Sequence, residues 1–370
     1  KMYRNRGVLL SATLALSVSR AFAATSYGRL AYQSVPKGPR QGQDAGFASV
    51  AANNANFRIT SKLLRPNSPP PPPPTALEDP DLRKALGQVE DFVERCGGSD
   101  LLLVTGAGVS VDSGIPDYRG HKGSYYENHR PITHDEYCSD PSSLKRYWAR
   151  SLVGYERFRS ATPNACHAAM ASLEASGLLS GCITQNVDGL HQAAGMRNVV
   201  DLHGCGHDVV CLKCGDRGKR TDYHDVLIAN NEEFYRSIGG GEEGAEDETE
   251  MRPDGDADLG GVNVDELEVS PCQACGDGLV KPDVVFFGAN VERNVVDKSY
   301  GMCDDANGLI VAGSSLTVYS SFRFVRRMVE LGKGVLVINV GKTRADGMEG
   351  VEKIEAPVTQ LFVELARKWE

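Results

Sequence analysis

Leu101-Leu102-Leu103-Val104-Thr105-Gly106-Ala107-Gly108-Val109-Ser110 is the stretch on which the fold turns. Four apolar residues in succession, stopped by a turn, describe a strand covered on both faces, the kind found in parallel sheets. Gly106 and Gly108 permit a tight turn with the backbone close to a phosphate, and a helix after it would offer unpaired N–H groups to the anion. The usual dinucleotide fingerprint has a third glycine where Val111 stands. Taken alone, the turn fits a nucleotide site and a plain tight turn equally.

Working outward, the same apolar signature recurs in Cys182-Ile183-Thr184, Asn198-Val199-Val200, Gly308-Leu309-Ile310-Val311 and Val335-Leu336-Val337-Ile338. Helical spacing lies between them, from Pro163 to Leu178 and from Ser321 to Leu331, and Val358, Leu361, Phe362 and Leu365 predict a closing amphipathic helix. Alternating strands and helices predict an α/β fold, a parallel sheet with both faces covered. Ligands of such sheets sit beyond the carboxyl ends of the strands.

Those ends carry polar and small residues. The second strand runs into Gln185-Asn186-Val187-Asp188-Gly189-Leu190-His191, the third ends at Asp201-Leu202-His203-Gly204, the next at Gly313-Ser314-Ser315, and the last at Asn339. Gln185, Asn186 and Asp188 are costly to bury without partners, although Asn186 or Asp188 could also serve as a helix cap. Five ends delivering such groups to one edge predict a crevice there.

Cys211-Leu212-Lys213-Cys214 and Cys272-Gln273-Ala274-Cys275 are paired knuckles, each trailed by glycine, and Cys211, Cys214, Cys272 and Cys275 form a four-thiolate set suited to one structural zinc. The 57 residues between the pairs exceed the common spacing, an excess the sequence assigns to the acidic run 239–268. A disulfide pairing, or Cys205 and His207 as ligands, are the competing readings.

Charge is unevenly spread over the 370 residues. The net charge is −9, yet residues 1–43 hold seven basic residues and no acid, and residues 239–268 hold twelve acids against one arginine. An acidic chain disfavours nucleic acid as a partner, and no stretch reaches the roughly 18 unbroken apolar residues of a membrane span. Residues 1–43 have the composition of an organelle transit peptide. Val8–Val18 followed by Ala21-Phe22-Ala23 also fits a secretory signal. Residues 44–76, with the run Pro69–Pro74, read as a disordered linker ending in an extended spacer. The run 239–268 is expected to be a solvated loop.

Taken together, Gly106-Ala107-Gly108-Val109-Ser110, Ser113-Gly114-Ile115-Pro116-Asp117-Tyr118-Arg119, Thr184 to His191, Leu202-His203-Gly204, the cysteine pairs, Lys281 to Gly288 and Gly313 to Val318 resemble the sirtuins over roughly residues 77–365. Arg146-Tyr147-Trp148-Ala149-Arg150 and Lys281-Pro282-Asp283-Val284-Val285-Phe286-Phe287-Gly288 lean toward the class II, mitochondrial lipoamidase-type branch. The resemblance implies a Rossmann-like catalytic domain over 77–370 with a smaller zinc-binding domain inserted at about 204–282. It implies NAD as co-substrate and acylated lysine side chains of proteins as partners. A mitochondrial matrix location, or another organelle such as a plastid, follows from the leader.

By that resemblance His203, Asn186 and Asp188 are catalytic. His203 takes a proton from a ribose hydroxyl, for which an imidazole near its ordinary pKa of ~6.5 is suited. Gly106, Ala107, Gly108, Ser110, Ile115, Pro116, Asp117, Tyr118, Arg119, Gln185, Val187, Gly313, Ser314, Ser315, Asn339, Val340 and Gly341 join Asn186 and Asp188 around NAD. Val284, Val285, Phe286, Phe287 and Gly288 face Leu316, Thr317 and Val318, with the substrate backbone paired between them. Tyr147 and Arg150, three apart on a predicted helix, would hold an acidic acyl group. ADP-ribosyl transfer, a zinc-bearing dehydrogenase and a non-catalytic acyl-lysine reader are the rival functions.

Overall fold

The computed structural model describes residues 82–118, 131–238, 259 and 262–369. The chain divides into a unit Lys1–Pro66, outside the described residues, and a unit Asn67–Glu370, to which everything below belongs. The leader 1–43, the linker 44–76, Arg119 and most of the acidic run likewise lie outside the described residues.

Among the described residues nine strands follow in chain order: β1 (Leu101–Thr105), β2 (Leu179–Thr184), β3 (Val199–Asp201), β4 (Gly204–Cys211), β5 (Arg217–Lys219), β6 (Val280–Val284), β7 (Gly308–Ala312), β8 (Gly334–Ile338) and β9 (Val351–Ile354). Six form one sheet in the order β3-β2-β1-β7-β8-β9, all parallel. Counted within that sheet this is the dinucleotide-binding order, with its switch point between β1 and β7.

The quoted stretch behaves as its pattern demands. Leu101 and Leu103 enter one core with the helices Leu82–Arg95, Ala165–Ala175 and Val358–Trp369, while Leu102 and Val104 enter a second core with the helices Arg293–Asp305 and Tyr319–Glu330. Successive residues of a strand point to opposite faces, so an unbroken apolar run is what a sheet covered on both sides needs.

Thr105 pairs with Thr184 and with Ala312, Thr184 with Asp201, and Ala312 with Ile338. The carboxyl ends therefore stand level, and the loops that follow all open on one edge.

A second sheet, β5-β4-β6, is antiparallel and carries the cysteines. Its core joins Val209, Leu227, Leu267 and Val280 to Tyr137, Tyr147, Trp148 and Leu152 of an earlier segment. The smaller layer thus takes in the helices His134–Ser139 and Pro141–Ser160 as well as the expected module. Asp140 starts the longer helix by accepting from the Ser142 and Ser143 amides, with Pro141 at its first position.

Candidate active site

The glycines of the quoted stretch do something different from what was expected of them. No α-helix follows Gly108; two short 3-10 turns, Ala107–Val109 and Val111–Ser113, take its place. Gly114, at φ +82°, ends the second turn, and Pro116 bars a return to helix. The glycines instead let two strand-end loops touch across the switch point. A Cβ on Gly106 would lie 2.7 Å from the Gly313 carbonyl oxygen, and one on Gly108 would lie 2.9 Å from the Gly313 Cα. Gly313 itself holds φ +60°, and the buried Leu316 just beyond holds φ +54°, a costly value for a leucine. Ser314 Oγ accepts from the Leu316 amide at 3.2 Å and steadies that turn.

Beside this contact the end of β2 is fully partnered. Gln185 Nε2 donates to the Thr105 carbonyl at 3.0 Å and to Ser314 Oγ at 2.8 Å, bridging the loops. Asn186 Nδ2 donates to Ser110 Oγ at 3.0 Å and to the Gly106 carbonyl at 3.2 Å. Ser110 Oγ in turn donates to Asp188 Oδ2 at 2.7 Å, and Asp188 Oδ1 accepts from the Leu190 amide at 3.0 Å. Asn186, Ser110 and Asp188 are buried, so this chain of bonds offsets the cost of holding polar groups away from water. Asp188 thus joins the chain of bonds and, just before Gly189 at the cap position of the short helix Leu190–Ala193, holds the amide of its first residue.

His203 stands in the turn after β3. Its Nδ1 lies 3.0 Å from the Gln185 carbonyl oxygen, which can only accept, so the ring hydrogen sits on Nδ1 and Nε2 keeps a lone pair. Burial pushes this imidazole down to about 4, against the raising effect of the Gln185 carbonyl, and the charge of Arg323 lowers it further. The expected ordinary imidazole is thus corrected: the ring is desolvated and neutral well below pH 6.5.

The other predicted residues distribute as follows. Ile115 is buried with Tyr155, Phe158 and Leu190, and Val187 packs against that cluster. Pro116, Asp117 and Tyr118 end the described part of this loop. Ser315 Oγ and Thr317 Oγ1 are 2.9 Å apart, and the Arg344 amide and guanidinium donate to the Ser315 and Thr317 carbonyls. Asn339 turns its amide onto its own loop, donating to the Val340 carbonyl at 2.8 Å, ahead of Gly341. Val285 donates its amide to the His203 carbonyl at 2.8 Å, and the Phe287 carbonyl accepts from the His134 amide at 2.9 Å. The segment after β6 therefore borders His203. Val284, whose carbonyl accepts from Lys281 Nζ, and Gly288 flank it. Tyr147 and Arg150 do share the helix Pro141–Ser160, but the Tyr147 ring is buried edge-on to Tyr137 at 5.4 Å and against Phe286 at 5.3 Å.

Thr105, His167 and Ser320 carried no prediction of their own, whereas His207 was a competing metal ligand. Thr105 Oγ1 lies 2.9 Å from both Thr184 Oγ1 and His191 Nε2, and the buried His191 ring meets His167 at 5.0 Å. Burial drives His191 down to about 3. His207 Nε2 lies 2.8 Å from the Asp188 carbonyl, away from the cysteines, which removes it as a metal ligand. Ser320 Oγ lies 2.8 Å from His203 Nε2.

The four thiols Cys211, Cys214, Cys272 and Cys275 converge with all Sγ atoms within 4.8 Å of one another. The Cys211–Cys275 and Cys214–Cys272 separations are both 3.8 Å. A tetrahedron with Zn–S of about 2.3 Å has edges of about 3.8 Å, whereas a disulfide needs about 2.05 Å. The set fits a structural zinc and not two disulfides. Gly278 lets the knuckles close, because a Cβ there would meet Cys211 Sγ at 2.3 Å. The long spacing between the pairs is only partly the acidic run: β5 and the helices Arg220–Asn230 and Glu232–Ser237 also fill it.

A dinucleotide-order sheet, a polar crevice at its switch point and a four-cysteine module define one class of α/β protein. A sequence profile of the Sir2 family matches residues 106–320, and the chain belongs to that family. It is 45% identical over 71% of its length to an NAD-dependent protein deacetylase 1 of Streptomyces coelicolor, spanning 83% of that protein. It is 44% identical over 74% of its length to an NAD-dependent protein deacetylase of Xanthomonas campestris, spanning 88% of that one. Among solved structures, a complex of Sir2 with a p53 peptide and NAD+ aligns over 76% of this chain and 96% of its own, at TM-score 0.54 and 28% identity.

Proposed function

We propose that this protein is an NAD-dependent protein deacylase that removes acyl groups from lysine side chains. Bound NAD would supply an electrophilic sugar carbon for the acyl oxygen, with nicotinamide as the leaving group. What the chain's own residues contribute follows from their placement. Gly106, Ala107, Gly108, Ser110, Gln185, Ser314 and Ser315 line the switch point where the phosphates and riboses belong. Ser113 Oγ, buried without a hydrogen-bond partner among the described residues, marks unfilled polar capacity in the same loop. Asn186 and Asp188, tied together through Ser110, are pre-organised to orient the nicotinamide end. The Val285 amide bonds the His203 carbonyl, and Val284 to Gly288 with Leu316 to Val318 would take the substrate backbone between them.

The observation that carries the reading is His203. Its tautomer is set by the Gln185 carbonyl, and its lone-pair nitrogen, which meets Ser320 here, would act as a general base for a ribose hydroxyl. The acyl preference, lipoamidase-type or acidic, rests on the motif resemblance around Tyr147 and Arg150, which share the helix Pro141–Ser160.

Incubating wild type and His203→Ala with NAD and acetyl-, lipoyl- and glutaryl-lysine peptides tests all of this. Wild type is expected to release nicotinamide and deacylated peptide, and His203→Ala to lose deacylation by about 10²–10⁴-fold, the usual worth of a general base. Failure of both proteins to release nicotinamide would sink the enzyme reading. Nicotinamide without deacylated peptide would favour ADP-ribosyl transfer.

A further inference from the structure

His203 is bonded at both ring nitrogens, and only one of the two bonds comes from the neighbouring strand-end loop. The second comes from Ser320, at the second position of the helix Tyr319–Glu330. No side chain caps that helix: Val318 holds the cap position, and the nearby hydroxyl of Ser320 is directed at the imidazole. Since Nδ1 carries the ring hydrogen, Nε2 accepts and the Ser320 O–H donates. One turn on, Arg323 keeps its buried Nε without a hydrogen-bond partner among the described residues. The helix start lies beside a ring that must acquire a proton, and the charge of Arg323, over the Tyr319 ring, opposes that proton.

We propose that Ser320 is a positioning residue for His203, holding Nε2 at the crevice in the unloaded enzyme and accepting from the imidazolium once the base has acted. A serine hydroxyl can do both because it is donor and acceptor. In the resting state its hydrogen points to Nε2. When a ribose hydroxyl arrives it takes over that lone pair, its O–H bond breaks and an Nε2–H bond forms. The Ser320 hydrogen has by then rotated away, so Oγ accepts from the new N–H. The cationic ring, disfavoured by Arg323 and the helix end, thereby keeps a partner without moving. The proposal rests on the deacylase reading for its kinetic half and on geometry alone for the rest.

The test compares wild type, Ser320→Ala and Ser320→Thr in two ways. In protein without NAD, nitrogen NMR of the His203 ring is expected to show one tautomer, with Nε2 shifted by its hydrogen bond. Ser320→Ala is expected to lose that shift and Ser320→Thr to keep it. In turnover, Ser320→Ala is expected to lower deacylation kcat about ten- to a hundredfold, the worth of one hydrogen bond to a charged group. Nicotinamide exchange, which reads only the step before His203 acts, and thermal stability are expected to stay at wild-type values. Threonine is expected to restore kcat. Wild-type ring signals in Ser320→Ala, or equal losses of exchange and deacylation, overturn the proposal. A wild type that neither exchanges nicotinamide nor deacylates overturns the deacylase reading instead, and the ring signals still decide the contact.

Discussion

The switch point and the zinc module hold their residues in place by opposite means. At the switch point the loops after β1 and β7 meet backbone to backbone; Gln185 ties the two together, and Asn186 fastens the end of β2 to the first of them. Nothing but hydrogen on Gly106 and Gly108 fits there. In the module, sheet β5-β4-β6 is small and its cohesion comes from four thiolates at one end and a ring cluster of Tyr137, Tyr147, Trp148 and Tyr223 at the other. One region is made precise by close backbone packing; the other needs a cross-link because its strands bury too little.

The chain's two tryptophans make this contrast measurable, since Trp148 lies in the module core and Trp369 packs against the sheet core. Cys211→Ser carries the largest expected effect. Bound zinc should fall from one per chain to near none by metal analysis, because structural zinc contributes about 10–16 kcal/mol in isolated finger peptides. With Trp369→Phe as background, Trp148 emission should shift to the red. With Trp148→Phe as background, Trp369 should keep a cooperative urea transition. Loss of both signals together would mean that the two regions fold as one unit, and the contrast would fail.

The reverse experiment is Gly106→Ala. The added methyl would overlap the Gly313 carbonyl and Ser314, so the loops must part. Overpacking of this kind costs about 1–3 kcal/mol, read as a lower urea midpoint at Trp369, and nicotinamide release should fall more steeply than stability. Zinc content should not change. An alanine variant with wild-type turnover would show that the glycine contact shapes nothing at the crevice.

The same contrast explains what could be read from the residues. Strands β1, β7 and β8 are legible because burial on both faces forces unbroken apolar runs, and β2 through the shorter run Cys182-Ile183. Strand β9, Val351-Glu352-Lys353-Ile354, sits at the sheet edge, where Glu352 is exposed and Lys353 pairs with Asp346 and Glu355, so its sequence resembles a loop. The cysteine set is legible because zinc fixes ligand type and local spacing. The segment around Tyr137 and Trp148 is not, because an aromatic cluster imposes no spacing. Asn186, Asp188 and His203 were legible through their motifs, yet their partners were less so. Ser320 lies 117 residues from His203, and only the adjacency of the β3 and β7 loops to one crevice brings them together. The lowered pKa of His203 was hidden for the same reason, since burial and Arg323 belong to the assembled site.

Arg323→Leu gives the smallest effect and the sharpest comparison. Arg323 stacks over Tyr319, 5.7 Å from guanidinium carbon to ring centroid, and its charge opposes the His203 imidazolium. Removing the charge should raise the His203 pKa from its value of about 4, by only a few tenths of a unit because burial is the larger cause. The base must be neutral to act, so activity rises with pH through this pKa, and its acid limb should move to higher pH. In stability the sign runs the same way. A histidine whose folded pKa lies below the free value near ~6.5 takes up protons more readily when unfolded, so stability falls as pH drops from there toward 4. Arg323→Leu should make that fall slightly shallower. An acid limb that stays in place in the leucine variant would mean that solvent screens Arg323 from the ring, leaving burial and the Gln185 carbonyl as the causes that set the base.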